Sequence, residues 1–155
     1  MAAALFGFLM VTSSTITLVE DGEWLLRRAP NTSSHVAVDL IDGTPKMQPA
    51  ALKFDDDGIS VYREKLLGAA GVAISKVAKR PSDYVFIFEV ETVRRFPAFD
   101  ALHDPDESDP EIGFAHSLMQ FETMPLNKKD PDIKERLNQM RAAIIVSARA
   151  VVVPT

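Results

Sequence analysis

The segment of residues 83–95 limits the possible folds of this chain more than any other part of it. Successive side chains of a β-strand point to opposite sides, and this segment is apolar on both. One side carries Tyr84, Phe86 and Phe88, and the other carries Val85 and Ile87. Because aromatic and β-branched residues favour strands, the pattern predicts a β-strand whose centre is buried on both faces.

The best-defined helix begins after Asp130. The Asp130 side chain can accept hydrogen bonds from the first free amides, and Pro131 suits the first helical position. Four apolar residues then follow at spacings of four, three and four, which places them on one helical face: Ile133, Leu137, Met140 and Ile144. The β-branched run after Arg149 is predicted to form a terminal strand.

The remaining segments are assigned from local composition. We predict a hairpin over residues 14–26, strands over residues 36–41, 50–54, 59–63 and 116–122, a helix over residues 64–79 broken near Gly71, and a long acidic loop over residues 96–113. The chain is therefore expected to be α+β, with a mostly antiparallel sheet of about five to seven strands. The C-terminal amphipathic helix and the weaker helix after Arg63 are expected to cover one face of this sheet.

Residues 14–155 are predicted to form a single domain, preceded by an apolar extension over residues 1–13. The apolar run is shorter than the roughly 20 residues that span a bilayer, so we expect no membrane-spanning helix there. A signal peptide normally has a basic leader, and no Lys or Arg precedes Leu5. A translation start at Met10 is a further explanation of this run. We expect a cytoplasmic protein.

Composition removes several classes of function. The chain has no cysteine, which excludes disulfides, zinc–thiolate sites and a thiol nucleophile. Its formal net charge of −5 opposes phosphate-backbone binding, so no nucleic acid partner is expected. The sequence also contains no glycine-rich phosphate loop, no Gly-x-Ser-x-Gly elbow and no His-Glu-x-x-His helix.

Three histidines, His35, His103 and His116, are candidates for a general base or for metal ligands. His103 is followed by an acidic run, but the spacing of these residues matches no familiar ligand pattern. A solvated acidic loop explains the run equally well, and we predict no metal site.

Arg28, Ser60 and Glu91 occur in an order that is similar to proteins that split NAD and transfer ADP-ribose. Arg27 and Glu89 are alternatives for the first and third positions. The resemblance implies that Arg27 or Arg28 binds the diphosphate, that Ser60 stabilises the site and that the glutamate supports an oxocarbenium-like transition state. The same residues also fit the solvated ends of strands.

Residues 54–63, Phe-Asp-Asp-Asp-Gly-Ile-Ser-Val-Tyr-Arg, resemble a segment of a group of small bacterial proteins. In that group the segment lies between an Arg-x-Pro-type element, here residues 28–30, and a later Ala-His, here residues 115–116. The resemblance covers about residues 26–153 and implies a free-standing domain without implying an activity. We expect an interaction or accessory module with a protein partner and no cofactor, and an enzyme using NAD is the alternative.

Overall fold

The structure is a computed structural model that describes residues 17–155. The predicted extension over residues 1–13, and the start of the predicted hairpin at Ser14, lie outside the described residues. The described strands are β1 (Trp24–Ala29), β2 (Val36–Val38), β3 (Pro45–Met47), β4 (Ile59–Arg63), β5 (Tyr84–Glu89), β6 (Phe99–His103), β7 (His116–Phe121) and β8 (Arg149–Val152). The α-helices are α1 (Glu64–Ala69), α2 (Val90–Arg94) and α3 (Pro131–Ser147), and three 3-10 helices cover Pro49–Leu52, Ile74–Val77 and Gly113–Ala115.

Six strands form one antiparallel sheet in the order β6-β7-β4-β1-β5-β8, and β2 pairs with β3 in a separate hairpin. The predicted α+β fold with a mostly antiparallel sheet is confirmed. Strand β1 lies between β4 and β5, where Leu26 pairs with Tyr62 on one side and with Ile87 on the other. The predicted hairpin partner of β1 does not form within the described residues, since Leu18 instead bridges to Leu102 of the edge strand β6.

Elements pack on both faces of the six-stranded sheet. On the face that we call the α3 face, three residues of α3 form one core with Phe86 and Phe88, namely Leu137, Met140 and Ile144. On the opposite face, called the α1 face, Val85 and Ile87 pack with Leu67 of α1 and with Val77. Burial of β5 on both sides is thereby confirmed. The prediction that α1 shares a face with α3 is wrong.

Helix α1 is also shorter than predicted, because it ends at Ala69 and Gly71 follows with a φ of +71°. A left-handed backbone of this kind terminates a helix and favours glycine. The 3-10 helix Ile74–Val77 then continues across the α1 face.

Four other segments differ from their predicted structure. The strand predicted over residues 36–41 ends at Val38, because Asp39 begins the turn that leads to β3. Residues 50–54 are not a strand, because Pro49 begins a 3-10 helix whose Leu52 is buried. The segment predicted as one strand over residues 83–95 leaves the sheet after Glu89 and turns into α2, where Val90 and Val93 are both buried. The predicted acidic loop contains strand β6, which the surrounding Pro, Asp and Glu residues conceal in the sequence.

A tight turn sets the start of β4. The backbones of Asp55 and Gly58 exchange hydrogen bonds of 3.1 Å in each direction. Gly58 has a φ of +122°, and a Cβ there would lie 2.4 Å from the carbonyl oxygen of Met119. Only glycine fits this approach to β7 without displacing backbone. The turn therefore fixes where β4, and with it Ser60, begins to pair.

We predict that Ile144→Ala lowers the free energy of unfolding by about 2–5 kcal/mol, because a fully buried side chain of the α3 face is removed. Val146→Ala is the matched control on the same helix, since Val146 is 81% exposed, and should change it by less than about 0.5 kcal/mol. Urea unfolding followed by circular dichroism measures both. Equal effects of the two substitutions would contradict the packing of α3 on the sheet.

Candidate functional site

A hydrogen-bonded chain of three residues lies on the α1 face. The Ser60 Oγ is 3.0 Å from the Nε2 atom of His116. The Nδ1 atom of the same ring is 2.7 Å from the backbone carbonyl oxygen of Asp104, and 3.4 Å from a carboxylate oxygen of Asp104. A hydroxyl, an imidazole and an orienting acceptor in series are the geometry by which proteins activate a serine nucleophile.

The carbonyl of Asp104 determines which ring nitrogen of neutral His116 carries the proton. A carbonyl oxygen can only accept, so the proton lies on Nδ1 and points at Asp104. The Nε2 lone pair then faces the Ser60 hydroxyl, which donates to it. Tyr62 packs its ring against His116 edge to face, with ring centres 5.5 Å apart, and limits rotation of the imidazole.

Strand pairing brings these groups together. In the ladder between β4 and β7, Ser60 pairs with Leu118 and Tyr62 pairs with His116, so Ser60 and His116 are diagonal neighbours on one face. Side chains at such positions are about 7–8 Å apart at their Cα atoms, which an imidazole can span. The backbone amide of Asp104 also donates to the His116 carbonyl at 3.0 Å, which closes the pairing at this end.

A close backbone approach holds the loop that supplies Asp104 and Asp106. The Asp106 amide donates to the carbonyl of Gly113 at 2.9 Å, and a Cβ on Gly113 would lie 1.8 Å from the Asp106 carbonyl oxygen. Any larger residue at position 113 would push this loop away from His116. Gly113 is thus a second glycine whose missing side chain the site requires.

Ser60 and His116 open into a cavity of about 180 Å³, lined also by Arg27, Arg28, Tyr62, Lys79 and Asp106. Lys79 and Asp106 in addition border an adjoining cleft of about 750 Å³. The cleft runs toward Ile112 and Val152. A small reactive cavity that opens into a larger cleft is the usual form of a ligand site.

Positive side chains of this cavity have free hydrogen-bond donors. Within residues 17–155 the Arg28 guanidinium has no acceptor at hydrogen-bonding distance, and its nearest carboxylate is that of Asp83 at 3.8 Å. Lys79 has no ion pair among the same residues, and its side chain is exposed. The opposing charge at the mouth is Asp106, whose pKa is lowered by hydrogen bonds from the side chain and backbone of Ser108.

The structure brings together two of the three residues of the predicted NAD site. Arg28 and Ser60 line the same cavity, and the register of β1 with β4 makes them neighbours on the α1 face. Glu89 pairs with Trp24 at the other end of β5, whereas Arg28 pairs with Val85. Four residues of extended strand, about 13 Å, therefore separate Glu89 from Arg28.

Glu91 lies further still from the cavity, and it accepts a hydrogen bond of 2.9 Å from the amide of Gly22. The convergence of Arg28, Ser60 and Glu91 is therefore not present. Arg27 also lines the cavity, but part of its guanidinium is already engaged by backbone carbonyls of the chain. Its Nε and Nη1 donate to the carbonyls of Ala51 and Ser60 at 2.8 Å each, and burial lowers its pKa to about 10.

The three histidines lie in different places. His35 accepts or donates through Nδ1 at 2.7 Å from the Thr32 hydroxyl, and His103 projects to the α3 face, where its Nδ1 has no partner among the described residues. Only His116 faces the cavity. Within residues 17–155 no group of three or more His, Asp and Glu side chains is arranged to hold a metal ion.

Sequence reasoning named Ser60 and His116 in separate arguments and did not pair them. It missed Asp104, Tyr62 and Lys79. A signal was nevertheless present, because each of the three segments that carry the resemblance to small bacterial proteins contributes to the cavity: Arg28 from residues 28–30, Ser60 and Tyr62 from residues 54–63, and His116 from residues 115–116.

Comparison of the chain with models of protein families, with curated proteins and with solved structures finds no significant match. No helix of residues 17–155 is both long enough and apolar enough to cross a membrane.

We predict that neutral His116 carries its proton on Nδ1, because the Asp104 carbonyl can accept only from that atom. Nitrogen-15 NMR of the histidine rings distinguishes the two tautomers directly. Ser60→Ala should shift the Nε2 resonance of His116 and leave that of His35 unchanged. A His116 ring protonated on Nε2 in its neutral form would contradict the proposed hydrogen-bond chain.

Proposed function

We propose that the protein is a hydrolase of small esters in which Ser60 is the nucleophile and His116 is the general base. The observation that supports this proposal is the 3.0 Å contact between the Ser60 Oγ and the His116 Nε2 inside a cavity that opens to a cleft. The Asp104 carbonyl acts as the orienting group. This arrangement has the same roles as a catalytic triad, with the backbone oxygen of an aspartate in the third position.

The reaction follows from these contacts. The Ser60 Oγ forms a bond to the ester carbonyl carbon while its proton passes to the His116 Nε2. The bond from carbon to the leaving oxygen then breaks, and His116 gives the proton to the departing alkoxide. A water molecule repeats the sequence on the acyl-Ser60 intermediate, which releases the carboxylic acid and restores the serine hydroxyl.

The electrostatics of the cavity support the same reaction. The tetrahedral intermediate carries a negative charge on oxygen, and a positive field stabilises such a charge most where water is partly excluded. Arg28 and Lys79 provide that field in a chain whose net charge is −5. The backbone amides of β4 are held in the sheet, so side chains are the available source of positive charge.

The transfer of ADP-ribose from NAD remains a prediction. Arg28, its alternative Arg27 and Ser60 line the cavity, and the carboxylate that lines it with them is Asp106 rather than Glu89 or Glu91. A cytoplasmic location and membership of the resembling bacterial group also remain predictions.

We expect a fluorophosphonate probe, which reacts with activated serines, to label the protein at Ser60. Ser60→Ala should abolish labelling and the hydrolysis of p-nitrophenyl acetate, and His116→Gln should lower both by about 100-fold or more, since the base is lost. Intact-protein mass spectrometry followed by peptide mapping measures the adduct and its position.

Ser75→Ala is the matched control, because Ser75 lines the cleft without a contact to His116. It should label as the unaltered protein does. Labelling that survives Ser60→Ala, or a protein that reacts with neither probe nor ester, would refute the hydrolase proposal.

A second candidate function is the interaction module that the sequence analysis favoured. The turn between β2 and β3 presents Leu40 and Ile41 with exposed fractions of 100% and 97%. The Asp39 carboxylate accepts from the amides of Ile41 and Asp42 at 2.7 and 3.2 Å, so the turn is held while its apolar side chains face outward. Burial of each by a partner would stabilise a complex by roughly 1.5–3 kcal/mol.

The double substitution Leu40→Ser and Ile41→Ser should abolish retention of a protein partner from a lysate of the source cells. The Val146→Ser control, which alters an exposed apolar residue of α3, should retain the partner. Affinity capture with mass spectrometry identifies the partner, and titration with the purified partner measures the loss. Equal affinity of all three proteins for that partner would exclude the turn as the interface.

A further inference from the structure

We propose that the substrate of this site carries a compact anionic group, a carboxylate or a phosphate, that binds to Arg28 and Lys79 beside the reacting centre. The inference rests on the proposed function for the assignment of the reacting centre to Ser60. It goes further by naming the chemical class of the substrate and the residues that select it.

Arg28 has hydrogen-bond donors that no group within residues 17–155 accepts. Its side chain is 35% exposed, and its guanidinium has no hydrogen-bond acceptor within residues 17–155. A guanidinium presents several N–H donors in a planar fork, which matches the two oxygens of a carboxylate or of a phosphate edge. Arg28 therefore has both the geometry and the vacant donors for such a group.

The neighbouring carboxylate of Asp83 forms an ion pair with Arg28 but makes no hydrogen bond to it. Asp83 is buried, and its Oδ2 accepts from the backbone amides of Lys79 and Arg80 at 3.2 and 3.1 Å. The 3.8 Å that separates this oxygen from the Arg28 Nε is beyond hydrogen-bonding distance. Asp83 instead holds the turn over residues 79–83 next to Arg28, and it thereby places Lys79 at the border of the cavity.

Lys79 lies where the cavity meets the cleft. It lines both the cavity and the cleft, as does Asp106 on the opposite rim. Lys76 lines the cleft and not the cavity, and its Nζ lies 3.6 Å from a carboxylate oxygen of Glu111. Whereas the larger cleft is lined by more carboxylates than cations, the cavity is lined by three cationic side chains, Arg27, Arg28 and Lys79, against the one carboxylate of Asp106. Since the whole chain has a net charge of −5, this is a local reversal of sign of the kind that attracts an anionic ligand.

The volumes of the cavity and of the cleft indicate where each part of the substrate would lie. A volume of about 180 Å³ holds an ester group and a few additional atoms near Ser60. The remainder would extend past Lys79 into the larger cleft, along Ile112 and Val152. The substrate is therefore an ester with an anionic group a few bonds from the carbonyl and with a longer, partly apolar remainder.

The first test measures binding without turnover. Ser60→Ala is titrated with inorganic phosphate and, separately, with succinate, and amide and histidine-ring NMR shifts are followed. We expect at least one anion to shift His116 and the residues around Arg28. Arg28→Met and Lys79→Met, each in the Ser60→Ala background, should weaken that binding by about 10-fold or more, because a charge-assisted hydrogen bond is lost.

Lys76→Met is the matched control, since it removes a lysine that lines the cleft but not the cavity. It should bind the anion as the Ser60→Ala protein does. Stronger binding of phosphate or of succinate identifies which of the two groups the natural substrate carries. Absence of binding by both anions, or an affinity unaffected by Arg28→Met and Lys79→Met, would overturn the proposal.

The second test compares two p-nitrophenyl esters of similar size, the hemisuccinate and the neutral pentanoate. We expect kcat/KM to favour the anionic ester by about 10- to 100-fold and Arg28→Met to reduce this preference. A preference for the neutral ester would overturn the proposal. Anion binding by the Ser60→Ala protein without turnover of any ester by the unaltered protein would instead refute the hydrolase proposal and leave the anion site supported.

Discussion

The central strands of this sheet are apolar on both faces, and the remainder of the chain is arranged to keep both faces from water. Phe86 and Phe88 lie under α3, whereas Val85 and Ile87 of the same strand lie under α1 and the 3-10 helix that follows it. Burial of such side chains contributes roughly 1.5–3 kcal/mol each, which makes this double coverage the main source of stability. It also leaves only the strand ends and the sheet margin for polar chemistry.

The candidate site occupies such a margin. On the α1 face, Leu67 and Val77 cover only part of the ladder between β4 and β7. Ser60 and His116 lie in the part that these residues leave uncovered. A rigid ladder suits this role, because both residues are held by backbone hydrogen bonds that do not depend on the substrate. A buried pair elsewhere strengthens the same strands, since the Arg63 Nε of β4 donates to Glu23 at 2.9 Å just before β1 begins.

The sequence was informative wherever one pattern dominated. The alternation around Phe86 and Phe88, and the cap and spacing of α3, each predicted the element that forms. Prediction failed where local signals conflicted with tertiary context. Val90 and Val93 favour a strand by composition, but they are buried three residues apart in a short helix. Strand β6 was missed because its pairing partner, β7, is needed to identify it.

Individual residues of the site could be predicted from the sequence, but their arrangement in space could not. Arg28, Ser60 and His116 were all named from the sequence, but whether they lie together depends on strand register. A slip of one residue would move the side chains of a strand to the opposite face of the sheet. Glu89 and Glu91 were chosen because they follow Arg28 and Ser60 along the chain. The order of residues along the chain does not determine which ends of two paired strands lie side by side. Lys79 has no distinctive local pattern, since its position depends on the turn held by Asp83.

One feature of the Asp104 contact affects how this protein can evolve. The atom that orients His116 most closely is a main-chain oxygen, which every amino acid possesses. Substitutions at position 104 should therefore leave the orientation of the imidazole unchanged, provided that the loop keeps its backbone conformation. Gly113 determines the conformation of this loop, so selection should act on Gly113 more strongly than on Asp104.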